Sequence, residues 1–394
     1  MDFYNSPLVS VIVPCYNHAD YILNTVESVL NQTYQNIEVL VSDDASTDSS
    51  LAVLKNIKDS RVKLFPFEEN HGIVYALNYL IEQAKGDYIA TLGSDDLFTP
   101  NKIEKQLRTF EAHPDLGAVF TLAKIIDEDG NEYPDSPLAQ IFTEQNRTRA
   151  EWLRYFFETG NHLCHSSALI RRSVQEEIGP YRASFRQLQD FDLWIRVLIH
   201  YPIEIIQEEL TYYRRSRSIE GSMSASTEAN DLRVANEYGL CFLDFFQNIP
   251  QDLFYSSFGD LCETDLSLNK ADFALARYHV LSQLNLGGNE LTFPSSVFFL
   301  DSCEGNMLCP EIISYYYQKN AKEAVKYHLL EVKQLTREQK FQSQLQLQKK
   351  INQNLQARNQ DLQAQLDSLY HSKSWRITKP LRSITRTTRK LLGV

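Results

Sequence analysis

Two hydrophobic periodicities alternate along the N-terminal half of the chain. Leu8-Val9-Ser10-Val11-Ile12-Val13 is a β-branched run closed by Pro14 and predicts a buried strand. Residues 19–31 carry Ile22, Val26, Val29 and Leu30 at helical spacing. Ile37-Glu38-Val39-Leu40-Val41 predicts a second strand. It ends in Ser42-Asp43-Asp44-Ala45-Ser46-Thr47-Asp48, where Ser46 or Thr47 can cap a helix running to about Ile57. A short strand over 62–65, a helix over 72–84 and a strand over 87–92 follow. Strands alternating with helices predict a parallel sheet with right-handed crossovers, in which ligands sit beyond the carboxyl ends of the strands. Farther on, Ala168-Leu169-Ile170 reads as an apolar strand, and the pattern over 227–284 is helical without a repeat period. Glycine and proline vanish over 319–372, where Phe341, Gln348, Leu355, Leu362 and Leu369 recur every seven residues. That spacing predicts a long helix and a coiled coil, hence a homo-oligomer.

Three polar clusters close predicted strands: Pro14-Cys15-Tyr16-Asn17, Asp43-Asp44 and Ser94-Asp95-Asp96. One acidic turn is explained as the cap of the helix expected near Pro100; three on one rim indicate a site. A buried strand that ends in two adjacent carboxylates puts charge where charge is costly. A hard divalent cation such as Mg²⁺ or Mn²⁺ is the usual remedy, completing its shell with phosphate oxygens and water. No Gly-x-Gly-x-x-Gly follows the first strand and no Gly-Lys-Ser/Thr loop occurs, which disfavours a dinucleotide fold and a P-loop ATPase.

A chain of 394 residues exceeds one ordinary core. We divide it into residues 1–222, a helical domain over 223–318, the long helix over 319–372 and a basic tail over 373–394. No apolar run approaches membrane-spanning length, and the first residues show no signal peptide. The six cysteines show no metal-ligand pairing, which fits a reduced cytoplasm. The net charge of -12 hides an asymmetry, for no acidic residue follows Asp367. An acidic body does not favour nucleic acid. In the tail, Ile377, Leu381, Ile384, Thr388 and Leu391 share one helical face, with Arg382, Arg386, Arg389 and Lys390 beside or opposite it. Such a helix lies on an anionic membrane surface rather than spanning it.

The three strand-end clusters, with Gln189-Asp190-Phe191-Asp192-Leu193-Trp194-Ile195-Arg196 as a fourth motif, resemble family 2 glycosyltransferases of the GT-A fold. The motifs run in the family's order over about 220 residues, and the segment around Trp375 is similar to one in bacterial surface-polysaccharide members. The resemblance implies an α/β fold with a Rossmann-like mixed, mostly parallel sheet and flanking helices. It implies metal-dependent, inverting transfer of a sugar from a nucleotide-diphosphate donor to a glycan or lipid-linked acceptor. Uridine diphosphate is the family's commonest carrier. Pro14, Tyr16 and Asp43 would line the base pocket, with Asp44 near base and ribose, and Asp95 would hold the ribose or donor sugar. Asp96 would bind the metal and Asp190 would be the general base. The expected location is cytoplasmic, peripheral on the inner face of the membrane.

The chain departs from the family in two places. Leu77 stands where many members have Arg, though Asn78 is kept, and Arg215-Ser216-Arg217 follows Tyr213-Arg214 where many have a metal-ligating His. Arg214, Arg215 and Arg217 either help neutralise the diphosphate or form a solvated basic loop. His165 either touches the acceptor or is only hydrogen-bonded, and Trp194 is either a sugar platform or core. The Gly- and Ser-containing stretch 219–224 suits a lid. Two other classes stay in view: a nucleotidyltransferase, and a non-catalytic scaffold acting through the coiled coil. The first usually needs a basic Gly-rich loop after the first strand. The second sits badly with intact Asp43, Asp95, Asp96 and Asp190.

Overall fold

A computed structural model describes residues 6–136 and 138–217, a set between 234 and 262, and short pieces between 273 and 290. The expected lid, the coiled coil, the basic tail and much of the 223–318 region lie outside the described residues.

The core of the fold is an eight-stranded sheet. Strand β1 (Val9–Cys15) lies between β2 (Ile37–Asp43) and β4 (Tyr88–Thr91), parallel to both. All seven residues of β1 and of β2 are buried, as central parallel strands covered on both faces must be. β3 (Val62–Pro66) is the outer edge, where Pro66 has no ladder bond to donate. Beyond β4 the direction reverses. β7 (Leu169–Arg171) pairs antiparallel with β4 and with β6 (Ala118–Ile126). β6 runs parallel to β8 (Ile203–Arg214), and β5 (Leu97–Phe98) closes the far edge antiparallel to β8. The sheet is mixed and mostly parallel with helices on its flanks, as the resemblance implies.

The helices cover the sheet by their apolar stripes. α1 (Ile22–Leu30) sets Ile22, Val26 and Val29 into the cluster that holds Val11, Val13, Phe98 and Ile103. The short α2 (Ser50–Asn56) corrects one expectation. Neither Ser46 nor Thr47 caps it; Asp48 Oδ1 accepts from the Ser50 amide at 2.8 Å, while Ser46 Oγ accepts from the Asn17 amide and the Thr47 amide donates to Asn17 Oδ1. These side chains stitch the ends of β1 and β2 together instead. α3 (Ile73–Gln83), α4 (Lys102–Ala112), α5 (Arg149–Thr159), α6 (Arg172–Ile178) and α7 (Gln189–His200) complete the layer.

The described part of the next region packs on this layer through aromatic rings. Phe157 of α5 meets Phe242 at 5.4 Å, Phe246 at 5.8 Å and Phe258 of α8 (Gln251–Phe258) at 5.4 Å. Phe191 of α7 meets Tyr238 at 5.3 Å. Gly160, at φ +88°, ends α5 where a Cβ would strike the Tyr238 hydroxyl.

Candidate active site

A cavity of about 880 Å³ opens at the carboxyl ends of β1, β2 and β4. Pro14, Tyr16, Asp44 and Asp95 line it. Asp43 and Asp96 are buried just behind, each next in sequence to a lining carboxylate. The far wall comes from residues 183–186 before α7 and from 213–216 at the end of β8.

On the β1–β2 side, two non-glycine residues hold left-handed backbone, Asn17 at φ 55° and Ala45 at φ 56°. Such conformations persist where the surroundings over-determine them. Tyr16 presents an exposed ring to the opening. Asp44 uses both carboxylate oxygens to accept from the His71 and Gly72 amides, each at 2.8 Å, and so fixes a second stretch of the rim. Asp43 Oδ2 accepts from the Ser46 amide at 3.1 Å, but its Oδ1 is buried without a partner among the described residues. An orphaned buried acceptor calls for a donor that the described residues do not supply. Burial and the neighbouring Asp43 charge push the Cys15 thiol up to about 12, so it stays a neutral wall.

Asp95 and Asp96 sit differently. Asp95 is part-exposed in the cavity, 4.0 Å from His18 Nδ1. Asp96 is buried; its Oδ1 accepts from the Arg214 amide at 2.8 Å and its Oδ2 from the Ser166 hydroxyl. No basic side chain among the described residues pairs with it. Burial first, then the Asp95 charge, raises its carboxyl well above the usual range. Two adjacent carboxylates with this uncompensated charge fit a hard divalent cation, whose positive charge would offset both effects. Among the described residues no group of three or more His, Cys, Asp or Glu side chains could complete a protein-only shell. Gly93 matters here, because a Cβ on it would come within 2.8 Å of Asp96 Oδ2.

Asp190 does not line the cavity. It lies in the first turn of α7, which follows the lining stretch 183–186 in sequence. Its Oδ2 accepts from Asn161 Nδ2 at 2.9 Å and its Oδ1 from the Phe191 amide at 2.8 Å. Burial raises the carboxyl and the nearby His165 pulls it back in part. His165 is itself pushed down by burial, against the pull of Asp190, and its Nε2 meets the Tyr181 hydroxyl at 2.8 Å. Tyr181 is clamped by Asn78, which donates to its carbonyl and accepts from its amide at 2.8 and 2.9 Å. Asp192, two residues on, is committed elsewhere. It is buried against Arg196 at 2.9 Å and Arg182 at 3.2 Å. Trp194 is fully buried, edge-on to Phe120.

Two residues near the site, Ser166 and Arg186, carry no sequence signal. His165 and Ser166 belong to one short turn (His165–Ser167), in which Ser166 reaches Asp96 and His165 senses Asp190. Arg214 is a brace rather than a solvated side chain: Nε donates to the Asp95 carbonyl, Nη1 to the Asp127 and Glu128 carbonyls, and the guanidinium covers Tyr21. Arg217 pairs with Asp127 at 2.9 Å, and Arg215 lines the cavity. Arg186 lines it as well.

The chain belongs to glycosyl transferase family 2, whose sequence model matches residues 10–179. It is 31% identical over 216 residues to the uncharacterized glycosyltransferase MJ1057 of Methanocaldococcus jannaschii, covering 53% of this chain and 71% of that protein. With EpsE of Bacillus subtilis it shares 32% over 201 residues, 49% of this chain and 67% of that one. It shares 34% over 236 residues, 58% of its length, with an uncharacterized glycosyltransferase of Rickettsia felis, of which it spans only 37%. The solved structure of S. aureus TarS in complex with UDP-GlcNAc superposes at a TM-score of 0.49 and 18% identity, over 70% of this chain and 81% of that one. That likeness is too slight to bear on this chain's chemistry.

Proposed function

We propose that the chain transfers a sugar from a nucleotide-diphosphate donor to a hydroxyl of a glycan or lipid-linked glycan, with inversion at the anomeric carbon. The observation that carries this reading is the turn at 165–167, which joins a carboxylate suited to a cation, Asp96, to a second carboxylate, Asp190, that forms no ion pair with Lys or Arg among the described residues. Inverting transfer needs those two functions on opposite sides of one carbon.

The base of the nucleotide would stack beside Tyr16 and Pro14, and its N–H would satisfy the orphaned Asp43 Oδ1. A uracil or thymine N3–H offers such a donor, as does a guanine N1–H, and of these carriers we propose uridine diphosphate on the family resemblance. Asp44 holds the rim against the ribose, and Asp95 reaches the ribose or the sugar. Asp96 would hold a divalent ion, Mn²⁺ or Mg²⁺, which when bound neutralises the diphosphate leaving group as a Lewis acid. Asp190 takes the proton of the attacking acceptor hydroxyl as the new C–O bond forms and the bond to the diphosphate breaks. Asn161 and the Phe191 amide orient its carboxylate for that task. The commitment of Asp192 to two arginines supports Asp190 as the base of this motif.

A panel of nucleotide sugars tests the reading by release of nucleoside diphosphate with and without chelator. Wild type should show metal-dependent release. Asp96→Ala should lose both activity and Mn²⁺-dependent nucleotide binding while its circular dichroism stays unchanged. Full activity in excess chelator would overturn the metal assignment.

A further inference from the structure

Three arginines line the cavity, and they are held in different ways. The Arg214 guanidinium is spent on three carbonyls and the Tyr21 ring. Arg186 is the reverse: its side chain is exposed, and no hydrogen bond, ion pair or ring contact engages it among the described residues. Its backbone, in contrast, is fixed. The Arg186 amide donates to Glu237 Oε1 at 3.0 Å, and the amides of Gln187 and Leu188 donate to Glu237 Oε2 at 2.8 and 2.9 Å. Glu237 is buried, with 4% of its surface exposed. A carboxylate that accepts three amides makes a strong, directional clamp, and losing it strands buried donors.

The clamped turn is the last stretch before α7, whose second residue is Asp190. Upstream, the same segment is pinned at Tyr181 by Asn78 and at Arg182 by Asp192. The rigid backbone carries a cation into a cavity that Asp95 and Glu128 also edge, yet neither carboxylate engages the guanidinium among the described residues, which leaves it available to an anion. A guanidinium also matches phosphate oxygens in a planar fork.

We infer that Arg186 is a ligand for the diphosphate of the donor and that Glu237 is the positioning residue that holds it there. The inference rests on the proposed sugar-transfer reading, because it needs a diphosphate in this cavity. Asp95 and Tyr16 face the same space, so the phosphate in question is the donor's rather than the acceptor's.

Calorimetry on the full chain with Mn²⁺, titrating UDP, dTDP, GDP and the parent nucleosides, tests it. Arg186→Ala should weaken the diphosphate that binds by about tenfold or more and leave its nucleoside unchanged. Arg186→Lys should recover part of the loss. Glu237→Gln keeps the shape and removes the charge; it should weaken the same diphosphate, and the double variant should be no weaker than Arg186→Ala alone. Unchanged diphosphate affinity in Arg186→Ala, or an equal loss for the nucleoside, overturns the inference. Fully additive losses overturn the part given to Glu237. Should Glu237→Gln fail to fold, the two Arg186 variants, on an exposed side chain, still decide. A wild-type chain that binds no nucleoside diphosphate overturns the underlying reading instead.

Discussion

In the proposed reaction Asp190 acts as a base from a half-buried position, and those demands pull in opposite directions. Burial raises its carboxyl above the ordinary aspartate value. A carboxyl raised on folding favours the native state below its unfolded pKa, and that contribution is lost as pH rises through the folded value. At neutral pH the ionised group therefore works against folding. Asp190→Asn should cut turnover by roughly a hundredfold or more, the range of positioned general bases, with donor affinity little changed. The same variant should melt above wild type at pH 7, and the two should converge toward pH 4. The acid limb of the wild-type rate profile should lie above the usual aspartate range. A lower melting point for the Asn variant at pH 7 would contradict this account. Asp43, Asp96 and Asp190 can be named from the sequence because each sits in a short motif; the structure sets the first two behind the cavity and leaves the third outside its lining. Arg186 and Glu237 cannot be named that way, because 51 positions separate the two and no local spacing marks either one. Their meaning lies wholly in a tertiary contact.

At the scale of elements, α7 carries two carboxylates with separate duties. Asp192 and Arg196 are one helical turn apart, and Arg196 also donates to the Ile178 and Pro180 carbonyls. Asp192→Ala would leave Arg196 buried and unpaired, so urea unfolding should show a loss of about 3–5 kcal/mol, the cost of breaking such a pair. Asp190→Asn should show no such loss. The buried parallel strands and the helices between them could be read from periodicity, since each face repeats its own pattern over five or more residues. β5 could not, being two residues long, and neither could the pairing of β8. Its central Gln207, Glu208 and Glu209 are exposed, and its register with β6 shifts between Thr121 and Ala123. Local pattern does not encode a bulge at an outer strand, nor the reversal at β7, which is settled by partners far along the chain. The helix start at Ser50 was missed for a different reason. Ser46 and Thr47 had a better use at Asn17 than as caps.

For the whole molecule, the described residues include no helix long and apolar enough to cross a membrane. Under the proposed reading, a lipid-linked acceptor would be met at a membrane surface. The tail over 373–394 has the composition for that, with seven cations and no acid. Each cation near anionic lipid contributes about 1 kcal/mol. The full chain should pellet with phosphatidylserine vesicles at low salt and less so at high salt. A chain ending at Ser372 should remain in the supernatant under both conditions. Equal pelleting of the two would remove the tail from the account and leave the catalytic assignment standing.

The aromatic packing of Phe157 and Phe191 on residues 238–258 also bears on inheritance. A gene rearrangement that joined residues 1–222 to a foreign partner would bare both rings, and it would remove the carboxylate that gathers the amides of 186–188. The sugar-handling half of this chain is therefore poor currency for domain shuffling at that point. Exchange that keeps those contacts has to carry residues 238–258 along with the first 222.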